Sequence, residues 1–183
     1  MKLVPTASQT VGPFFLIGCH HLCVREPSVD AGLVTVHGRV LDGNREPVPD
    51  AMLELWYADG EGRYAAASDG AGSDGQAAGF ARVFADDAGC FNFTIHRPGA
   101  VPFDSRHMQA PHIEVLVFAR GLLRQLFTRM YFPDEANTAD PVLGALPADR
   151  RATLIAQSAS PAAEALEWNI VLQGEDETIF FAW

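Results

Sequence analysis

From Leu33 the chain settles into a period of two. Val34, Val36, Gly38 and Val40 share one face of Leu33–Leu41, with Thr35, His37 and Arg39 between them. Alternation of this kind predicts a strand with one buried face. The run Asp42-Gly43-Asn44-Arg45 that follows is a turn sequence. Residues 51–57 (AMLELWY) are large and apolar and predict a buried strand. Cys90–His96 alternates again, with Phe91, Phe93 and Ile95 on one side. Residues 111–119 put Ile113, Val115 and Val117 on one face and His112 and Glu114 on the other. Residues 125–132 and 166–172 complete the predicted strands.

Between these runs, 16 glycines and 12 prolines are spread along the chain rather than bunched, which implies many turns and hence many short strands. One helix is predicted over 147–157, where Pro147 and Asp149 stand at the start as helices prefer. Residues 65–78 are Gly, Ala, Ser and Asp with little apolar bulk, and predict a long loop. Residues 1–30 read as an irregular arm. Its Gly12-Pro13 pair restricts the backbone, and Phe14 and Phe15 need a surface to pack on, in the same domain or in a neighbour. There is no repeat and no linker. The expected fold is all-β: one domain over 1–183, a two-sheet β-sandwich of mainly antiparallel strands (31–183) with the N-terminal arm (1–30) and one short helix.

Charge narrows the partners. The formal net charge is -10, and a chain this acidic is repelled by nucleic acid and by anionic membrane surfaces. No apolar stretch reaches the roughly 20 residues that cross a bilayer. The opening Met1-Lys2-Leu3-Val4-Pro5 lacks the apolar run of a secretory signal. A soluble, cytoplasmic location is expected. Cys19, Cys23 and Cys90 make an odd count, which argues for reduced thiols rather than a disulfide framework.

Three places carry candidate chemistry. Cys19-His20-His21-Leu22-Cys23 offers thiols and imidazoles, but adjacent residues wrap poorly around one ion and no second cluster pairs with them. It reads as a solvated loop. His112 and Glu114, two positions apart on a strand, share a face, and Tyr64 at the end of the turn-like 59–64 stretch can approach them. A phenolate, an imidazole and a carboxylate suit iron; alternatively, His112 and Glu114 hydrogen-bond each other or a neighbour. Arg129 lies inside an apolar strand and needs a partner. Either an acidic side chain pairs with it, or it grips a substrate carboxylate in a bidentate manner.

An ordered set of segments resembles the intradiol ring-cleavage dioxygenases, and among them the alpha-type chains of the enzymes that open protocatechuate. These are SQTVGP at 8–13, GRVLDG at 38–43, LELWYAD at 53–59, GRY at 62–64, RPG at 97–99, APHI at 110–113, FARG at 118–121, TRMYF at 128–132 and QGE at 173–175. The likeness runs nearly end to end. It implies β-sandwich chains of two homologous types, alpha and beta, in a hetero-oligomer. The beta chain binds Fe3+ through two tyrosines and two histidines. With O2 it cleaves protocatechuate between its hydroxyls to 3-carboxy-cis,cis-muconate.

The ligand positions assign this chain to the iron-free type. Tyr64 matches the family tyrosine after Gly-Arg. Val101 stands at the second tyrosine position, and His112 and Glu114 stand where the family has His-x-His. Gln109 replaces a family arginine three residues before the first histidine. The resemblance thus implies no catalytic residue and no metal in this chain, with Tyr64, Val101, His112 and Glu114 as vestigial ligand positions. It also implies that Thr10, Gly12, Pro13 and Arg129 line the beta chain's pocket from across the interface. Two other readings are a stand-alone metal enzyme using Tyr64, His112 and Glu114, and a binding module on the same sandwich.

Overall fold

The computed structural model describes residues 6–12, 14–19, 32–64, 79–158 and 165–182. Pro13, most of the 19–23 Cys/His cluster and the 65–78 segment lie outside them. Two sheets face each other. In the first, β1 (Leu33–Leu41) is central. β4 (Cys90–His96) flanks it antiparallel, with Val36 opposite Phe93. On its other edge β1 pairs in parallel with β10 (Ala165–Glu167) and then with β11 (Ile170–Val171). The short β9 (Gln157–Ser158) closes that side against β10.

The second sheet runs in the order β3 (Phe80–Phe84), β2 (Met52–Tyr57), β7 (His112–Phe118), β8 (Leu126–Tyr131), antiparallel throughout. Val36, Val40, Leu53, Leu55, Ile113, Val115, Val117 and Ile170 are wholly buried between the sheets. Each such side chain contributes roughly 1.5–3 kcal/mol relative to leaving it in water. The alternation seen in the sequence is therefore the in-and-out pattern of the sandwich. The mostly antiparallel β-sandwich is what the alternation and turn spacing predicted, and it carries a few short helices where one was expected.

The helix expected over 147–157 is not there. Residues 151–154 form a 3-10 turn, and Ile155 bridges to Tyr131 of β8 instead. That bridge, with Ala156 N donating to the Tyr131 carbonyl at 3.0 Å, holds the backbone extended. The helix forms earlier, as α2 (Pro141–Ala145), with Asp140 capping the N–H groups of Val142 and Leu143. A further short helix, α1 (Phe14–Cys19), stands in the N-terminal arm.

On the outer face of the second sheet one row crosses all four strands: Phe80, Trp56, Glu114, Arg129. Trp56 packs on Phe80 with ring centroids 4.5 Å apart. This row carries the candidate residues away from the core.

Candidate functional site

His112 and Glu114 open β7, and the register sets them opposite Tyr131 and Arg129 of β8. Directly opposed side chains on one sheet face interact, and here both pairs do. Arg129 Nη2 donates to Glu114 Oε1 at 3.1 Å, and Nη1 donates to Gln109 Oε1 at 2.7 Å. The Tyr131 hydroxyl lies 3.4 Å from the same Nη1. The guanidinium is also 5.9 Å from the Phe181 ring centroid. Of the alternatives open for Arg129 within its own chain, the structure shows the ion pair.

The His112 ring is buried, and its Nδ1 lies 2.8 Å from the Ala110 carbonyl oxygen. A carbonyl only accepts, so Nδ1 carries the proton and Nε2 presents a lone pair. Nε2 is buried and meets no hydrogen-bond partner. Burial first, and then the nearby Arg129 charge, push the His112 pKa down to about 4. The ring is neutral at ordinary pH. Burial raises the Tyr131 phenol to about 12.

Behind this pair lies Asp140, also buried. Its Oδ2 accepts from Ala110 N at 2.8 Å, and its Oδ1 accepts from Val142 N and Leu143 N at 2.8 Å each. The Tyr131 hydroxyl lies 3.4 Å from Oδ1. One carboxylate thus fixes the strand entry before His112 to the start of α2. The sequence reading did not single out Asp140, although Asp140-Pro141 is a helix-start signal.

Tyr64 arrives from the turn after β2. Asp59 organises that turn, accepting from Glu61 N and Arg63 N at 2.9 Å each. Gly62 has φ +77°, and a Cβ there would lie 1.9 Å from the Ala100 carbonyl oxygen. The turn therefore presses on the segment leading into β5 (Val101–Pro102), which pairs with β6 (Met108–Gln109) so that Val101 is opposite Gln109. The Tyr64 phenol is raised chiefly by burial, with Glu114 adding to the shift and Arg129 opposing it. Both charges thus lie within electrostatic reach of the half-exposed Tyr64 ring. A cleft of about 490 Å³ opens beside the cluster, with Gln109, Ala110, Gly99 and Glu135 in its wall.

Tyr64, Val101, His112, Glu114 and Arg129 are thus gathered at one end of the second sheet. Thr10 and Gly12 are not with them. Thr10 Oγ1 accepts from Gly121 N at 2.8 Å and donates to the Ala119 carbonyl at 3.3 Å, beyond the far end of β7. Phe15 of α1 packs near Phe118, with ring centroids 6.3 Å apart. Ala119 stands five residue steps along the extended chain from Glu114, about 17 Å. Phe14 and Ile17 of α1 stay largely exposed, at 79% and 71%.

The gathered residues do not fit a ferric ion. Val101 offers no donor atom, and the Glu114 carboxylate is engaged by a guanidinium. That guanidinium brings a positive charge to the place a cation would take. Among the described residues no group of three or more His, Cys, Asp or Glu side chains is placed to hold a metal ion.

Comparison with known proteins gives a consistent picture. The family model described as Dioxygenase matches residues 24–174. The protocatechuate 3,4-dioxygenase alpha chain of Burkholderia cepacia is 40% identical over 98% of this chain and 98% of its own length. The protocatechuate 3,4-dioxygenase beta chain of the same organism is 33% identical over 79% of this chain and 66% of its own. Among solved structures, the dioxygenase domain of a dioxygenase carbohydrate-binding protein fusion from Streptomyces sp. SirexAA-E superposes with a TM-score of 0.58 at 26% identity, covering 94% of this chain and 100% of that one. The chain therefore belongs to the intradiol ring-cleavage dioxygenase family, and within it stands with the alpha chains of protocatechuate 3,4-dioxygenases.

Proposed function

We propose that this chain is the iron-free subunit of a hetero-oligomeric protocatechuate 3,4-dioxygenase. A homologous beta chain carries the Fe3+ and opens the catechol ring with O2. The observation that carries this reading is the ion pair at the remnant metal position, with Arg129 held by Glu114 and Gln109. It is joined by the likeness to alpha chains along nearly the whole sequence. Among the described residues no helix is long and apolar enough to cross a membrane, and the reading takes the complex to be cytoplasmic, with no nucleic-acid or membrane partner.

In this reading the chain supplies shape, exclusion of water and charge to its partner's pocket. Thr10, Gly12 and Pro13 of the arm reach across the interface. The exposed Phe14 and Ile17 beside them are apolar surface of the kind that obligate subunits cover. Arg129 adds positive potential toward the substrate carboxylate. It lies opposite Glu114, about 17 Å of extended strand from Ala119, where the arm is bonded.

The test is to purify the chain alone and with a beta-type partner, and to record visible spectra, iron content and protocatechuate-dependent O2 uptake. A colourless, inactive lone chain and a coloured, active complex are expected. A lone chain that binds stoichiometric iron and turns over catechols overturns the reading. In the assembled enzyme, Arg129→Ala is expected to raise KM for protocatechuate. Unchanged kinetics would remove Arg129 from the pocket.

A further inference from the structure

The His112 ring is oriented like a metal ligand, yet its Nε2 has no hydrogen-bond partner. Its Nδ1–H is anchored on the Ala110 carbonyl at 2.8 Å, and its Nε2 lone pair is buried without a partner. Metal-binding histidines are commonly oriented in this way, one ring nitrogen fixed by a carbonyl and the other free to ligate. Glu114 sits two residues on, on the same face. The imidazole and the carboxylate thus share one face of β7, and the Arg129 guanidinium is the cation paired with that carboxylate.

We infer that Arg129 is an internal cation that stands in for a metal ion: its guanidinium neutralises Glu114 and bars cations from the His112–Glu114 pair of donors.

Several features make this more than a surface ion pair. The Arg129 side chain is 13% exposed and that of Glu114 30%. The guanidinium is fixed on a second side by Gln109, whose residue pairs with Val101 on the adjoining β5–β6 ribbon. Its Nε is buried without a hydrogen-bond partner, as is the His112 nitrogen. Two groups that would repay a ligand are thus left unmatched in one cluster. Buried polar atoms without partners are uncommon in folded chains. The guanidinium donates to the Glu114 carboxylate and the Gln109 amide oxygen, but no donor reaches the imidazole lone pair, which is an acceptor. The substitution of glutamate for histidine and the presence of arginine then act together, since the carboxylate gives the guanidinium its counter-charge.

The test uses the full-length chain and Co2+, whose visible spectrum reports coordination. Arg129→Met keeps the apolar stem of the side chain and removes the guanidinium with its charge. Arg129→Gln keeps amide donors toward Glu114 and serves if the methionine variant folds poorly. One Co2+ per chain is expected in the variant, bound at least about tenfold more tightly than by the wild-type chain. Adding His112→Ala is expected to abolish the gain. Folded variants that bind Co2+ no better than wild type overturn the inference, as does a gain that survives His112→Ala. The inference rests on the reading of this chain as iron-free, but the two fail differently. Stoichiometric metal bound by the wild-type chain at Tyr64, His112 and Glu114 would sink both, whereas silent variants would sink only the internal-cation role.

Discussion

Glu114 and Arg129 face each other directly across β7 and β8, and their side chains pair at 3.1 Å. Neither is fully in water, so the pair is screened less than a surface ion pair, though not fully desolvated. A double-mutant cycle with Glu114→Gln and Arg129→Met, read by denaturant unfolding, is expected to give a coupling energy of about 1 kcal/mol. Additive effects would show that the two side chains merely lie near one another.

Asp140 has a larger stabilising role. Its carboxylate accepts from three backbone N–H groups and joins α2 to the start of β7. Asp140→Ala removes a helix cap and leaves the buried Ala110 N–H without its acceptor. A loss of about 2–4 kcal/mol in unfolding free energy is expected. A loss under about 0.5 kcal/mol would mean that water or a shifted backbone replaces the carboxylate.

The pH dependence follows from His112. Its folded-state pKa, about 4, lies below the ordinary 6.5, so folding favours the neutral ring. This contribution is complete above pH 6.5 and is lost as pH falls toward 4, because the unfolded chain takes up the proton first. The full difference is about 3 kcal/mol. Urea midpoints measured between pH 7 and 4 should fall more steeply for the wild-type chain than for His112→Asn. Parallel curves would show that the ring accepts a proton in place.

Gly62 is the backbone condition for the turn that carries Tyr64. With φ +77° and the Ala100 carbonyl 1.9 Å from where a Cβ would stand, Gly62→Ala is strained and crowded at once. A destabilisation of more than about 1 kcal/mol is expected by thermal unfolding. An unchanged midpoint would mean that the 59–64 turn can move off the segment before Val101.

Much of the sandwich was readable from alternation alone. Leu33–Leu41 and Cys90–His96 lie where the period of two put them, because each has one face in the core and one outside. Phe80–Phe84 formed a strand that the reading missed. Its residues Phe80, Ala81, Val83 and Phe84 are apolar on both faces, since Phe80 packs outward against Trp56. The 147–157 helix failed because the pairing of Ile155 with Tyr131 outweighed a local proline signal. At the site, the placing of His112 and Glu114 on one face of β7 followed from strand parity. The cis engagement of Arg129 by Gln109 did not, because it depends on how the β5–β6 ribbon folds back, which no local pattern records.

The parallel pairing of β1 with β10 and β11 bears on how the chain acquires its shape. The central strand of the first sheet can form its antiparallel edge with β4 early, but Thr35 finds Ala165, and Val40 finds Ile170, only when the last part of the chain is present. Loop-closure entropy must be overcome before those contacts stabilise anything. The sandwich therefore has a high contact order, and its refolding belongs with the slow, millisecond-to-second class of β-proteins. On the ribosome, β1 would wait with one edge open until residues 165–171 had been made.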